Sequence, residues 1–214
     1  MRSASADDLS ARARIRDTAI GLFGRMGFAR TTVRMVAGEA GVSPGLVIHH
    51  FGSKEGLRLA CDEFVIADSA ERSIEKADPS RVGAQIRDYL ANPDQYADEI
   101  AYIRESLRDQ SEAGDNFYDA VVAQTRDMIE AGIAAGTVRD FEDVDTAAVV
   151  MASNSLAILV LGRHIARALG TSVLGPDMLT RLTIPTMDIY THGFFKDTSH
   201  LDAAKSAFTE TEQQ

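Results

Sequence analysis

The chain has no tryptophan, one cysteine and only five prolines among its 214 residues. A single thiol, Cys61, excludes an intramolecular disulfide framework and fits a reducing compartment. The N-terminus is polar, with no apolar run to serve as a secretory leader, so a cytoplasmic location is expected. Long apolar stretches are scarce. The longest, Ala147 to Gly162, is interrupted by Ser153, Asn154 and Ser155, and falls short of the roughly 20 apolar residues of a membrane span. It is expected to be a buried helix, and no membrane partner is expected. Catalytic signatures are missing too. There is no HExxH, no Gly-rich phosphate loop and no nucleophile elbow, so neither an enzyme nor a cofactor is expected. His164, His192 and His200 lack close metal-ligand spacing, so no metal site is expected. No β alternation and no internal repeat stands out.

What remains is a chain long enough for a substantial core in one or two domains, with a hydrophobic fraction of 45% and a charged fraction of 25%. Its most informative stretch is 31–56. Val33, Val36, Ala37 and Ala40 sit at helical spacing and give one apolar face. Gly41 ends that helix where positive φ is needed, and Val42 fills the angle that follows. Ser43 is placed to cap a second helix, and Pro44 is pre-set for its first turn. Helix, glycine turn and capped second helix make a helix-turn-helix, whose second helix enters a DNA major groove.

The same logic reads helices along the whole chain. Ser10 is placed to cap a first helix with the stripe Ile15, Ala19, Leu22, Phe23 and Met26, ended by Gly27. Ser53 caps a helix through Leu57, Cys61, Phe64 and Val65 toward Ala77, where Asp78-Pro79 breaks it. Further helices are expected over 80–91, 95–112 and 115–135, the last two parted at Gly114-Asp115. A long helix starts at Asp143 or Asp145 and runs to Leu169. The next is opened by Gly175-Pro176 and runs to about Phe195, with Pro185 inside it to kink it. Leu201, Ala204 and Phe208 allow one more short helix in a polar tail. The fold expected is all-α, with about nine helices.

Charge is split along the chain. The whole carries a net −10 and a pI near 4.9, poor for binding a polyanion. Residues 1–60, however, hold Arg2, Arg12, Arg14, Arg16, Arg25, Arg30, Arg34, Lys54 and Arg58 against Asp7, Asp8, Asp17, Glu39 and Glu55, a net of +4 that leaves −14 for the remainder. Phosphate attraction needs only one locally positive face, and the acidic remainder would repel DNA and orient docking.

Leu22-Phe23, Gly27-Phe28 and Thr31-Thr32-Val33, then Ala37, Ala40-Gly41-Val42-Ser43, then His50-Phe51 and Ser53-Lys54-Glu55 occur in order with consistent spacing. In this the chain resembles the TetR family of bacterial repressors over residues 10 to 60. The resemblance implies an N-terminal three-helix DNA-binding domain, 1–55, and a C-terminal helical ligand-binding and dimerisation domain, 56–214. It also implies a homodimer on double-stranded, palindromic operator DNA, released by a small-molecule effector, here expected to be largely apolar. By the same resemblance Thr32 caps the first helix of the motif and meets a phosphate, and Arg34 reaches a base edge or phosphate. Ser43, Pro44, Gly45 and Leu46 lead the recognition helix, with Gly45 allowing close backbone approach. Leu46 and Val47 have only methyl groups to offer thymine, and Val47 and Phe51 are expected to face the core. His49, His50 and Lys54 hold the DNA backbone, with stacking on the domain core as the other reading of His50. Members often carry a threonine and a pair of tyrosines where this chain has Leu46, Ile48 and His49, so the phosphate contact passes to His49. Arg2, Arg12, Arg14 and Arg16 either extend toward a minor groove or form a solvated face.

The C-terminal part offers only pattern. The helices at 143–169 and 176–195 are the most apolar and, by resemblance, pair with their counterparts in a second chain as a four-helix bundle. A ligand cavity is expected among the helices between 80 and 160, lined by Tyr96, Tyr102, Phe117, Tyr118, Met128, Asn154, Ser155 and Ile158. Polar Asn154 and Ser155 inside an apolar helix need a partner, either a ligand or the other subunit. The alternatives to a ligand-responsive repressor are a DNA-binding regulator that senses a protein partner and, less favoured, an enzyme.

Overall fold

The computed structural model describes residues 6–77 and 79–211. Arg2 and Asp78, singled out above, lie outside the described residues. Among the described residues there are ten α-helices, one 3-10 turn and no strand. The first four are α1 (Ala6–Met26), α2 (Val33–Glu39), α3 (Pro44–Phe51) and α4 (Lys54–Ala77). Then come α5 (Pro79–Ala91), a 3-10 turn (Pro93–Tyr96), α6 (Ala97–Ser106) and α7 (Glu112–Ala134). The last three are α8 (Val144–Leu169), α9 (Pro176–His192) and α10 (Ser199–Thr211).

Several expected boundaries move, each for a physical reason. The first helix begins at Ala6, not after Ser10, because no glycine or proline interrupts the chain upstream. The single helix expected over 95–112 divides into the 3-10 turn headed by Pro93 and then α6. The break expected at Gly114-Asp115 falls earlier, at residues 107–111. Gly114 is buried inside α7, because the Asp109 carbonyl oxygen stands 1.9 Å from where a Cβ would be. That glycine serves close approach rather than helix termination. α9 stops at His192, where Gly193 at φ 83° turns the chain away. The tail forms a tenth α-helix.

The chain divides into two compact units, 1–162 and 163–214. In the first, α1 packs on α6, α4, α2 and α3, and α4 also packs on α7 and α5. One hydrophobic core runs through these elements. It joins Ile15, Ala19 and Phe23 of α1, Val36 and Val47 of the motif, and Leu57, Cys61 and Val65 of α4 to Tyr102 of α6 and Phe117 of α7. Gly24 permits the α1–α6 contact: a Cβ there would meet the Tyr102 backbone nitrogen at 2.7 Å and the Ala101 Cβ at 2.9 Å.

α8 corrects an expectation. It is not a buried helix within the chain: only 11% of its most apolar window is buried, and Val149, Val150, Val160 and Leu161 are exposed. Its bounds, Val144–Leu169, are those expected from the sequence, and by length and composition alone it is long and apolar enough to cross a membrane. In the second unit, Ala166 and Met178 are the buried hydrophobic residues among those described. Ile184, Met187, Ile189 and Tyr190 of α9 lie exposed, as do Phe194 and Phe195 after it.

Candidate nucleic-acid interface

The helix-turn-helix forms by the local chemistry that its sequence carries. Thr32 has extended backbone, and its side chain accepts from the Met35 N–H at 3.3 Å, capping α2. Thr31 beside it is fully buried, and its hydroxyl donates to the Gly27 carbonyl at 2.9 Å, fixing the entry to the motif. Val36, Ala37 and Ala40 form the buried face of α2 and its C-cap. Gly41 follows at φ 67°, and the Val42 N–H donates to the Ala37 carbonyl at 2.9 Å. Ser43 then caps α3 by accepting from the Leu46 N–H at 3.2 Å, with Pro44 as the first helical residue. Each side-chain cap contributes about 1 kcal/mol to its helix.

α3 presents two faces. Val47 is fully buried, and Leu46 and Phe51 pack against the core. Ser43, Pro44, Gly45, Ile48 and His49 are exposed. His50 is half-buried, with its ring 5.5 Å from that of His49 and 6.1 Å from that of Phe51. Gly45 is notable because nothing in the chain requires glycine there. A Cβ would have only the Ser43 Oγ within 4 Å, at 3.8 Å. Arg34 is exposed on α2, and half-buried Lys54 opens α4 with its Nζ 3.5 Å from the Ala29 carbonyl oxygen. The structure thus gathers Ser43, Pro44, Gly45 and His49 on the open side of one short helix.

The arginines of α1 have partners inside the chain. Arg14 donates to the Ala40 carbonyl at 3.0 Å, tying α1 to the end of α2. Arg12 lies over the Phe51 ring at 5.2 Å. Arg16 pairs with Asp17 at 2.7 Å and stacks over Phe64 at 3.3 Å. Arg25 bridges Glu39 of α2 at 2.8 Å and Asp98 of α6 at 3.1 Å.

Sequence reasoning missed a buried polar cluster beneath the motif. The Arg58 guanidinium of α4 lies 3.7 Å from the centre of the Phe28 ring, in the link between α1 and α2. It pairs with Asp109, after α6, at 2.5 Å, and its Nε is 3.8 Å from Asp62. The Tyr102 hydroxyl donates to Asp62 at 2.6 Å. Burial pushes the Asp62 carboxyl above its usual range, against the Tyr102 hydrogen bond and the Arg58 charge that lower it. At Asp109 burial also acts upward, but the bonds from Arg58 and Ser111 outweigh it and the net shift is downward. Burial pushes the Cys61 thiol far up, and Tyr102 likewise. Spacing alone signalled only the Arg58–Asp62 pair, at i,i+4. Asp109 is 51 residues away from Arg58 and had no local signal.

The residues expected around a ligand are spread over four elements. Tyr102 and Phe117 are core, with ring centroids 6.3 Å apart. Half-buried Tyr118 of α7 shares a 2.9 Å hydroxyl–hydroxyl hydrogen bond with Ser153 of α8. Met128 and Ile158 are half-buried, and Asn154 and Ser155 are exposed on α8. Tyr96 ends the 3-10 turn and donates its hydroxyl to Asp88 of α5.

Residues 15–61 match the family of bacterial regulatory proteins of the tetR type, and residues 94–196 match the Tetracyclin repressor-like C-terminal domain. The HTH-type transcriptional regulatory protein RaaS of Mycobacterium tuberculosis is 36% identical over 208 residues, covering 95% of this chain and 94% of that protein. Among solved structures, FadR of Bacillus subtilis in complex with stearoyl-CoA is similar at a TM-score of 0.62 and 14% identity, over 86% of this chain and 99% of that one. SmeT, the repressor of the Stenotrophomonas maltophilia multidrug efflux pump SmeDEF, is similar at a TM-score of 0.55 and 21% identity, over 80% and 86%. At those identities the two structures speak for the fold.

Proposed function

The chain belongs to the TetR family of bacterial transcriptional regulators, and from that premise we propose that it is a homodimeric cytoplasmic repressor, released from a palindromic operator by a small, largely apolar ligand. The observation that carries the DNA reading is α3, held by a buried Val47 with Ser43, Gly45, Ile48 and His49 open to solvent. Gly45 supports it, since the chain itself leaves room for a larger residue and a DNA backbone would not. In this reading Thr32, His49, His50 and Lys54 meet phosphates, and Arg34 meets a base edge or a phosphate. Ser43, Pro44, Gly45 and Leu46 face the base edges, and Leu46 reads thymine methyls.

Dimerisation is supported by apolar surface that one chain leaves uncovered. Val160 and Leu161 of α8, and Ile184, Met187 and Ile189 of α9, are exposed. A second copy covering those helices removes that surface from water, and a two-fold pair doubles the operator read by one motif. The 1–55 part would carry DNA contact and 56–214 the dimer and ligand functions. Tyr96, Tyr102, Phe117, Tyr118, Met128, Asn154, Ser155 and Ile158 are the residues proposed to answer to ligand. The apolar character of the effector is in keeping with the stearoyl-CoA complex of FadR.

The test has two readouts on the full chain. Light scattering at micromolar concentration should give twice 23.1 kDa, and a monodisperse monomer would sink the dimer. Selection from a random duplex library should yield a two-fold site. Its half-sites should be spaced by about one helical turn, roughly 34–36 Å, and apolar compounds that raise the melting temperature should lower its affinity. Enrichment of no sequence over the starting library would refute sequence-specific repression.

A further inference from the structure

Sequence leaves Arg12 and Arg14 as either arms toward DNA or solvated residues, and the structure gives each a partner in the recognition motif. Ala11 and Ile15 of α1 are buried. Helical geometry places Arg12 on one flank of that stripe and Arg14 on the other. Arg12 lies over the ring of Phe51, the last residue of α3, at 5.2 Å. Arg14 reaches α2 instead, where its Nε donates to the Ala40 carbonyl at 3.0 Å. Ala40 is the C-cap of α2, and its carbonyl belongs to the peptide that leads into Gly41, whose φ of 67° turns the chain toward α3. α2 has no basic residue in its own last turn. The positive charge that a helix C-terminus favours is therefore supplied here by another helix.

We propose that Arg14 is a positioning residue for DNA recognition: through its Nε it fixes the Ala40–Gly41 peptide, and with it the direction in which α3 leaves the turn, without touching DNA. Only Gly41 and Val42 lie between Ala40 and the Ser43 cap, so a small rotation of that peptide swings the whole recognition helix. The other bonds at the turn are internal to the motif. The Val42 N–H donates to the Ala37 carbonyl, and Ser43 accepts from the Leu46 N–H. Those bonds set the shape of the turn. The bond from Arg14 sets its orientation against α1, which the core holds through Ile15, Ala19 and Phe23. A guanidinium suits this task because its N–H groups are fixed in a plane and its charge strengthens the bond to a carbonyl. The proposal rests on the reading that α3 enters DNA for its effect on affinity, but not for its effect on the turn.

The test exploits side-chain length. Glutamine carries an amide nitrogen as many bonds from Cα as the arginine Nε, and methionine carries a methyl group there. Both are neutral, so the pair differs by the one donor. Lysine keeps the charge but has a methylene at that place. Affinity of the full chain is read by fluorescence anisotropy, on the duplex selected from the random library, over a series of salt concentrations. Arg14→Gln should stay within about twofold of wild type, whereas Arg14→Met and Arg14→Lys should bind about fivefold or more weakly. The slope of log affinity against log salt should be the same for all of them. Hydrogen exchange of the free chain should be faster over 41–46 in Arg14→Met and unchanged in Arg14→Gln. The reverse order overturns the proposal: affinity kept by lysine and lost by glutamine, with a slope shallower by about one per bound chain, makes Arg14 a phosphate contact. Wild-type affinity and exchange in every variant overturns it too, and leaves a solvated residue. If the library yields no duplex, the operator reading fails by itself, and the exchange of Arg14→Met against Arg14→Gln still upholds or refutes the hold on the turn.

Discussion

Replacing Arg58 by alanine should be the most damaging single truncation beneath the recognition motif. The wild-type side chain pairs with Asp109 at 2.5 Å, stands 3.8 Å from Asp62 and lies over the Phe28 ring at 3.7 Å. Its side chain is 13% exposed and that of Asp62 is 12%, so neither charge has much water to fall back on. Removing the guanidinium leaves Asp62 buried with the Tyr102 hydroxyl as its one close side-chain donor among the described residues. Breaking one side of such a buried pair costs about 3–5 kcal/mol, out of a total stability of about 5–15 kcal/mol for a typical domain. The assay is urea unfolding followed by circular dichroism, at one fixed protein concentration because a dimer's stability depends on it. Asp62→Asn should cost much less, since an amide keeps a partner for Tyr102 and needs no counter-charge. Its pH profile checks the cause. Burial holds the folded Asp62 carboxyl above its unfolded value of about 3.9. The folded state therefore binds that proton more tightly, and its contribution is fully present in acid and lost as pH rises through the folded value. Wild type minus Asp62→Asn stability should therefore fall as pH rises from about 4 toward neutrality. An Arg58→Ala loss below about 1 kcal/mol, or a difference curve of the opposite slope, would refute this account of the cluster.

Other expectations follow from single positions. Gly24→Ala should destabilise by about 1–3 kcal/mol despite the better helix propensity of alanine, because its Cβ meets backbone of α6; a neutral or stabilising result in thermal melts would show that α1 and α6 part easily. His49→Ala should weaken operator affinity by about 0.5–1.5 kcal/mol, as a donor to a phosphate is lost; unchanged affinity by fluorescence anisotropy would remove His49 from the phosphate contacts. Cys61 is fully buried with its thiol pushed up by that burial, so it should resist alkylation at pH 8 in the native chain and react at once in urea; fast native labelling would contradict the packed α1–α4 interface.

The helix-turn-helix was legible because everything that builds it is local. Thr32, Gly41, Ser43 and Pro44 act within four residues of their own position, through caps and one positive φ. The split of positive and negative charge needed only counting. What stayed hidden depended on approach across the chain. Gly114 read as part of a break between two helices and Gly24 carried no signal of its own, yet each marks a place where other backbone comes close, at Asp109 and at Tyr102. The Arg58 cluster was invisible for the same reason. Apolar periodicity in α8 showed that the helix must be covered, but not whether by its own chain or by another copy, so a buried helix was expected where the single chain leaves it mostly exposed. At the candidate site, the exposed face of α3 was readable, because its cap, its first turn and its one buried anchor, Val47, all lie within the helix itself.

The continuous core from Phe23 through Leu57 to Tyr102 and Phe117 has an evolutionary consequence. A crossover near residue 55 that joined this DNA-reading end to a foreign regulatory end would keep one wall of that core and replace the other. The graft would meet Gly24 with a new α6, and Arg58 with no guarantee of an acidic partner after it. Such hybrids should rarely survive, so descendants of this chain are expected to acquire new operators by point substitution at exposed α3 positions such as Ile48 and His49. New inducers should likewise arise within one uninterrupted lineage rather than by exchange of parts.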